Sequence, residues 1–275
     1  MNAKVSIIIL NYMSYKDTLS FIKHIRRALA YDNYNIIVVE NNSPNESFFE
    51  LKKMSKKYDY TVLKSELNGG YASGNNIGIR YSYTIGAEYS WILNNDIILK
   101  NSHILSNMVS LMKSNKNIGV VSPVVFKPDG TEDFPVIKRP NIWDMTFGCF
   151  YYAKSRKKKL RRDSRIYRPQ GCCMLLRNSD MKKIGELDEK TFLYCEEDIL
   201  AERLLGIDRE CWLSTASRVI HNHSKTVYSV MKRKQIAQYN CNSYEVYIRK
   251  YRRISNKLLV RVICLFKYLI IYFSY

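Results

Sequence analysis

Short apolar runs alternate along the chain with stretches in which apolar residues recur three and four apart. Residues 5–10 (Val-Ser-Ile-Ile-Ile-Leu) are almost continuously β-branched or aliphatic, the pattern of a strand covered on both faces. Leu19, Ile22, Ile25 and Leu29 follow at roughly helical spacing behind Ser14 and Asp17, residues suited to a helix start. Residues 36–39, 60–63 and 89–93 are again short and apolar, with helical or loop stretches between them. This alternation predicts an α/β fold with a mostly parallel central sheet sandwiched by helices. Such sheets bind ligands beyond the carboxyl ends of their strands. The polar residues expected there are Asn11, Glu40, Asn42 and Asp96.

The pattern changes at about residue 123. Pro123, Pro128-Asp-Gly130, Pro135 and Pro140 predict a loop-rich insertion, followed by a basic run over 154–168. Strand signals return at 171–176 and 217–220, the second leading into His221-Asn-His223, and a helix is expected after Glu196. From Val227 the chain reads as helices rich in Lys, Arg and Tyr, ending in an apolar stretch over 258–275. No internal repeat is apparent.

A chain of 275 residues can bury a substantial core as one elaborated domain, or as one domain with a short appendage. Its apolar and charged fractions are ordinary, but the formal net charge is +19. Such an excess predicts an anionic associate: nucleic acid, a phosphorylated substrate or an acidic membrane surface. The seven cysteines include no Cys-x-x-Cys pair. With no signal peptide ahead of the first strand, reduced thiols in a cytoplasmic setting are expected.

Three segments carry candidate chemistry. The strand at 89–93 runs into Asn94-Asn95-Asp96, where a carboxylate can hold a divalent metal, although Asn-Asn-Asp is also ordinary turn chemistry. Residues 68–78 (Asn-Gly-Gly-Tyr-Ala-Ser-Gly-Asn-Asn-Ile-Gly) lead into a helix and let backbone N–H groups approach a phosphate or ribose. They fit neither the dinucleotide fingerprint nor the Walker phosphate loop, and a glycine-rich helix start is the structural alternative. Glu196, Glu197 and Asp198 open a helix, a placement suited to a catalytic base and equally favoured by the helix dipole. His221 adds an imidazole that suits Mn²⁺ better than Mg²⁺.

In their order and spacing these segments resemble the family-2 glycosyltransferases, particularly bacterial rhamnosyltransferase-like members that build surface polysaccharides. The resemblance runs from Val5 to about Ser229. It is carried by Val-Ser-Ile-Ile-Ile-Leu-Asn-Tyr at 5–12, Ile-Val-Val-Glu-Asn-Asn-Ser at 37–43, the 68–78 segment and Leu93-Asn-Asn-Asp96. It continues through 171–177, Ile184-Gly-Glu-Leu-Asp188, Tyr194-Cys-Glu-Glu197 and His221. The resemblance implies a GT-A αβα sandwich over 1–229. A nucleotide-sugar-binding half would span 1–122, an acceptor-binding half 123–229, and a helical extension 230–275. Asn11 and Tyr12 would border the base and ribose, with Glu40 where the family usually has aspartate. Asn42, Asn68, Gly70, Asn76 and Asn95 would complete the donor side. Asp96 and His221 would hold Mn²⁺ or Mg²⁺, and Glu197 or Glu196 would be the base.

Three positions depart from the common pattern: Glu40 replaces aspartate, Asn94 replaces the first acid of the metal motif, and Glu196-Glu197 replaces Glu-Asp. Asp198 therefore stays open as a base, and a degenerate scaffold stays open as a function. The implied reaction is inverting transfer from a UDP- or dTDP-sugar to a glycan acceptor, in which a carboxylate takes the acceptor hydroxyl's proton. The 258–275 stretch, interrupted by Arg261 and Lys267, is short for a span of about 20 residues. It is expected to lie in the interface of an anionic membrane, placing the enzyme on the inner face of the cell membrane beside a lipid-diphosphate-linked acceptor. The alternative for this stretch is an oligomer contact or core helix. Nucleic acid is not expected as a partner, because no recognised binding motif appears and the acidic triplet would be left unexplained.

Overall fold

The computed structural model describes residues 2–146, 159–222 and 231–274. Cys149, residues 154–158 of the basic run, His223, residues 227–230 and Tyr275 lie outside the described residues. Among the described residues ten strands form one sheet. β1 (Val5–Asn11), β2 (Tyr34–Glu40), β3 (Thr61–Lys64) and β4 (Tyr89–Leu93) pair in parallel in the order β3-β2-β1-β4. β9 (Cys173–Arg177) runs antiparallel between β4 and β6 (Ile118–Phe126), which in turn pairs in parallel with β10 (Glu210–His221). Of these seven strands only β9 is reversed, so the central sheet is mostly parallel. The short β5 (Ile97–Leu99) closes the edge antiparallel to β10, while β7 (Glu132–Asp133) and β8 (Ser164–Ile166) are side additions to β6 and β10.

Helices cover both faces, as a sheet with buried faces requires. One core joins Ile7 and Ile9 to Phe21, Ile22 and Ile25 of α1 (Tyr15–Ala28), Leu51 of α2 (Ser47–Tyr58) and Met108 of α4 (Ile104–Ser114). The other joins Ile8 and Val39 to Ile79 of α3 (Gly70–Thr84), Met181 of α6 (Asn178–Ile184) and Leu200 of α7 (Glu196–Leu205). Alternate residues of β1 thus serve opposite cores, which is why its sequence shows no polar alternation. A third cluster joins Cys195 and Ile199 to Met145 of α5 (Ile142–Thr146) and to the C-terminal helices. These are α8 (Arg233–Val246), continued by a π-helical turn at Tyr247–Tyr251, and α9 (Lys257–Ser274).

Pro123 does not begin a loop: it lies inside β6, opposite Ser214 of β10. Proline donates no ladder hydrogen bond and is tolerated at irregularities. The register here skips from Ser214 to Arg218, so 215–217 bulge out of the pairing. β10 also begins at Glu210, well before the 217–220 signal.

Candidate active site

The parallel strands deliver their carboxyl ends to one edge of the sheet. β4 ends at Leu93, and residues 94–96 link it to β5, which pairs with the end of β10 so that Ile97 lies opposite His221. The Asn222 amide donates to the Asp96 carbonyl at 3.0 Å, and His221 Nε2 lies 3.2 Å from Asp96 Oδ1. Two residues more than a hundred positions apart are therefore neighbours because two strands end together. Neighbouring ligands on one divalent ion at about 2.1 Å sit roughly 3 Å apart, so this oxygen and nitrogen fit Mn²⁺ or Mg²⁺. Among the described residues no group of three or more acidic, histidine or cysteine side chains forms a metal cluster. A phosphate oxygen or water would complete the shell, as is usual for these ions.

Asp96 and His221 border a cavity of about 170 Å³ together with Tyr12, Ser14, Asn41, Asn68, Gly70, Tyr71, Asn94, Asn95 and Phe192. Asn95 Nδ2 donates to Ser14 Oγ at 2.8 Å and to Thr18 Oγ1 at 2.9 Å, while Thr18 donates to Asn11 Oδ1 at 2.8 Å. Ser14, at the N-cap position of α1, thus spends its hydroxyl on the Asp96 loop rather than on its own helix. Asn41 Nδ2 donates to Asn68 Oδ1 at 2.8 Å, and Asn68 Oδ1 also accepts from Gly70 N at 3.2 Å. Gly70 has φ +83°, and a Cβ there would stand 2.0 Å from the Phe192 carbonyl oxygen. Only glycine permits this approach, which lets Tyr71 N donate to Phe192 O at 2.9 Å.

Four expected residues are not in the cavity lining. Asn11 and Glu40 are fully buried at paired positions of β1 and β2. Glu40 Oε1 accepts from Ser43 N at 2.9 Å, whereas Glu40 Oε2 and Asn11 Nδ2 have no hydrogen-bond partner among the described residues. Asn42 is exposed, with φ +56°, and its buried neighbour Asn41 faces the cavity instead. Asn76 is buried elsewhere, bonded to both backbone polar groups of Leu187 and to Glu189. Asn41, Ser14, Tyr71 and Phe192 are additions. Asn41 was visible only as one asparagine of a pair, and Phe192 only as an apolar residue near the acidic triplet.

The acidic triplet sits beside this cavity, reached through Tyr71. The Tyr71 hydroxyl donates to Gly171 O, and Gly171 N donates to Glu197 Oε1 at 3.1 Å. A Cβ at Gly171 would lie 2.4 Å from that oxygen, so any side chain there would push the Glu197 carboxylate aside. Tyr194 and Cys195 immediately before α7 both have positive φ, +74° and +64°. Consecutive left-handed non-glycine residues store strain that clusters at functional sites. Glu196 is buried, and burial together with the Glu197 charge pushes its carboxyl well above the ordinary carboxylate range. Asp198 is raised by burial, against Arg168, whose Nε lies 3.3 Å away.

The fold and site define a GT-A type of sandwich, and solved structures of that type match it. A structure of GalNAc-T7 with UDP, GalNAc and Mn²⁺ aligns with TM-score 0.66 and 11% identity, over 89% of this chain and 47% of that one. A mannosyltransferase from Pyrobaculum calidifontis, in complex with GDP-Man and Mn²⁺, aligns with TM-score 0.63 and 14% identity, over 96% and 74%. The family model for glycosyl transferase family 2 matches residues 6–185. The chain belongs to that family. It is 28% identical over 194 residues to the low-salt glycan biosynthesis hexosyltransferase Agl10 of Haloferax volcanii, covering 70% of this chain and 59% of that protein's length. Glu196, Glu197 and His221 lie beyond the residues the family model matches.

Proposed function

We propose that the chain transfers a hexosyl or deoxyhexosyl group, with inversion, from a nucleoside-diphosphate sugar to a hydroxyl of a glycan acceptor during cell-surface polysaccharide synthesis. The Asp96–His221 pair carries this reading. It brings a hard oxygen and an imidazole nitrogen 3.2 Å apart next to the Asn41–Asn68–Gly70 cradle, in a chain of glycosyl transferase family 2. The structural neighbours' complexes with UDP or GDP-Man and Mn²⁺ support a nucleotide donor and a divalent ion. The Haloferax relative, a hexosyltransferase of low-salt glycan biosynthesis, supports the transferred group.

The acceptor hydroxyl oxygen attacks the anomeric carbon as the bond from that carbon to the donor diphosphate breaks, and a carboxylate takes the hydroxyl proton. Glu197 is the base in this reading. Asp198 is held by Arg168 and Glu196 is kept towards its neutral form, whereas Glu197 is half-exposed and oriented by Gly171 N–H. Asp96 and His221 would hold Mn²⁺ or Mg²⁺, whose charge, when bound, stabilises the departing diphosphate. Asn68 and Gly70, which line the cavity, would shape its ribose and phosphate side.

The enzyme would lie peripherally on the inner membrane face and take a lipid-diphosphate-linked acceptor. The exposed residues Leu258, Val262, Leu265, Phe266, Leu269 and Tyr272 form one stripe of α9, while Val260, Ile263 and Cys264 are buried against the domain. With a net charge of +19, this supports an interfacial helix on an anionic surface. Among the described residues no helix is long and apolar enough to cross a membrane. Turnover of UDP-, dTDP- and GDP-sugars by wild type and Glu197→Gln tests the reaction. Turnover should fall about 10²–10⁴-fold with donor binding retained; full activity in the variant would remove Glu197 as the base.

A further inference from the structure

A second cavity, about 810 Å³, opens at the other end of β10, where Glu210 and Cys211 form part of its wall. The length of β10 puts it roughly 30 Å from His221. Five arginines, at 139, 165, 209, 252 and 253, face two carboxylates, Glu202 and Glu210. Glu202 is only 5% exposed and must serve several donors. Arg139 Nε bonds it at 2.8 Å, the Tyr167 hydroxyl at 2.7 Å, and Arg252 Nε lies 3.7 Å away. Arg252 is itself only 10% exposed and is braced by a 2.9 Å bond to the Tyr247 hydroxyl. Arg209 shares the buried Asp180 with Arg177 and Lys183. Arg253 has a left-handed backbone, φ +56°, and no acidic partner among the described residues.

Cations therefore outnumber anions on the walls: Arg139 and Arg252 share the buried Glu202, and Arg165 pairs with Glu210 at 3.0 Å. An excess of positive charge gathered in a cleft with low-dielectric walls raises the local potential for an anion. Guanidinium groups whose rotamers are fixed by such anchors keep further N–H donors for a bidentate oxyanion. The volume lies within the range of small-molecule sites, about 300–1,000 Å³. Ile137, Ile166 and Leu205 supply an apolar side for the body of the ligand.

We propose that this cavity is a second anion site, separate from the donor cavity, that takes a phosphate-bearing ligand. Donor binding and turnover are not needed for this site to exist, so it stands or falls apart from the glycosyltransfer reading. The test uses the whole 275-residue chain carrying Asp96→Ala, with chelator present so that the donor cavity does not contribute. The probes are inorganic pyrophosphate, followed by calorimetry, and phosphatidylglycerol-containing vesicles, followed by flotation. Arg253→Glu and Arg165→Gln alter exposed positions of the cavity wall. Lys56→Glu, on α2 at the far side of the sheet, makes the same charge change as Arg253→Glu. Binding of either probe should weaken about tenfold or more in both cavity variants and stay unchanged in Lys56→Glu. Response to pyrophosphate assigns a soluble phosphate ligand, and response to vesicles alone assigns a lipid headgroup. Binding of both probes left unchanged by the two cavity variants, absence of pyrophosphate binding together with unchanged vesicle binding, or equal weakening by Lys56→Glu would overturn the proposal.

Discussion

Gly70 combines two constraints that no other residue satisfies: a φ of +83° and a carbonyl oxygen 2.0 Å from where a Cβ would stand. Gly70→Ala should cost roughly 2–4 kcal/mol of stability in urea denaturation, and it should also separate the 68–71 cradle from the 192–195 loop. Glu196 illustrates a different kind of cost. Its ordinary value is 4.5, and burial with the Glu197 charge raises it in the folded chain. The folded state then holds a proton that the unfolded state has released, so stability falls as pH rises from the unfolded value through the folded one. Glu196→Gln removes that slope. The variant should resist urea better than wild type at about pH 8 and show no such advantage at about pH 4; an equal gain at both would contradict the assignment. Which asparagine faces the donor cavity was not legible in Asn41-Asn42. Strand alternation stops where Asn42 turns left-handed, and only the bond from Asn41 to Asn68 settles the direction. Glu40 and Asn11 were recognisable as strand-end residues, but their burial behind the cavity depends on Ser43 and Thr18, contacts that no local pattern encodes.

At the scale of elements, α9 is two-faced. Leu265 and Leu269 are exposed on the stripe while Ile263 and Cys264 pack into the third core cluster. Leu265→Asp with Leu269→Asp should reduce co-sedimentation with anionic vesicles at least about tenfold, and leave the far-ultraviolet circular dichroism unchanged because neither side chain is buried. Undiminished vesicle binding would remove the membrane role of the helix. The parallel strands were legible because both of their faces are covered, so Val, Ile and Leu run without interruption. Pro123 misled for a physical reason: a proline inside a strand is accommodated by a bulge on its partner, ninety residues later in the chain. The first half of β10, Glu210 to Ser214, mixes polar and apolar residues and shows its strand character only through pairing with β6 and β8.

At the scale of the molecule, the sheet joins functions that are distant in sequence. One edge collects the ends of β4 and β10 into the Asp96–His221 pair, the other end of β10 carries the arginine-lined cavity, and the C-terminal helices pack on the acidic α7. Order and spacing of the strand-end motifs were enough to expect the sandwich and the family. Distances across the sheet were not available without it, because Asp96 and His221 meet only through the antiparallel pairing of β5 with β10. The central claim is that this pair builds a metal-dependent nucleotide site. Calorimetric titration with UDP, dTDP and GDP, each with and without Mn²⁺, on wild type and Asp96→Ala, tests it most directly. Mn²⁺-dependent binding of at least one nucleotide, lost in the variant, is expected; nucleotide binding indifferent to both Mn²⁺ and Asp96, or no binding at all, would overturn the assignment.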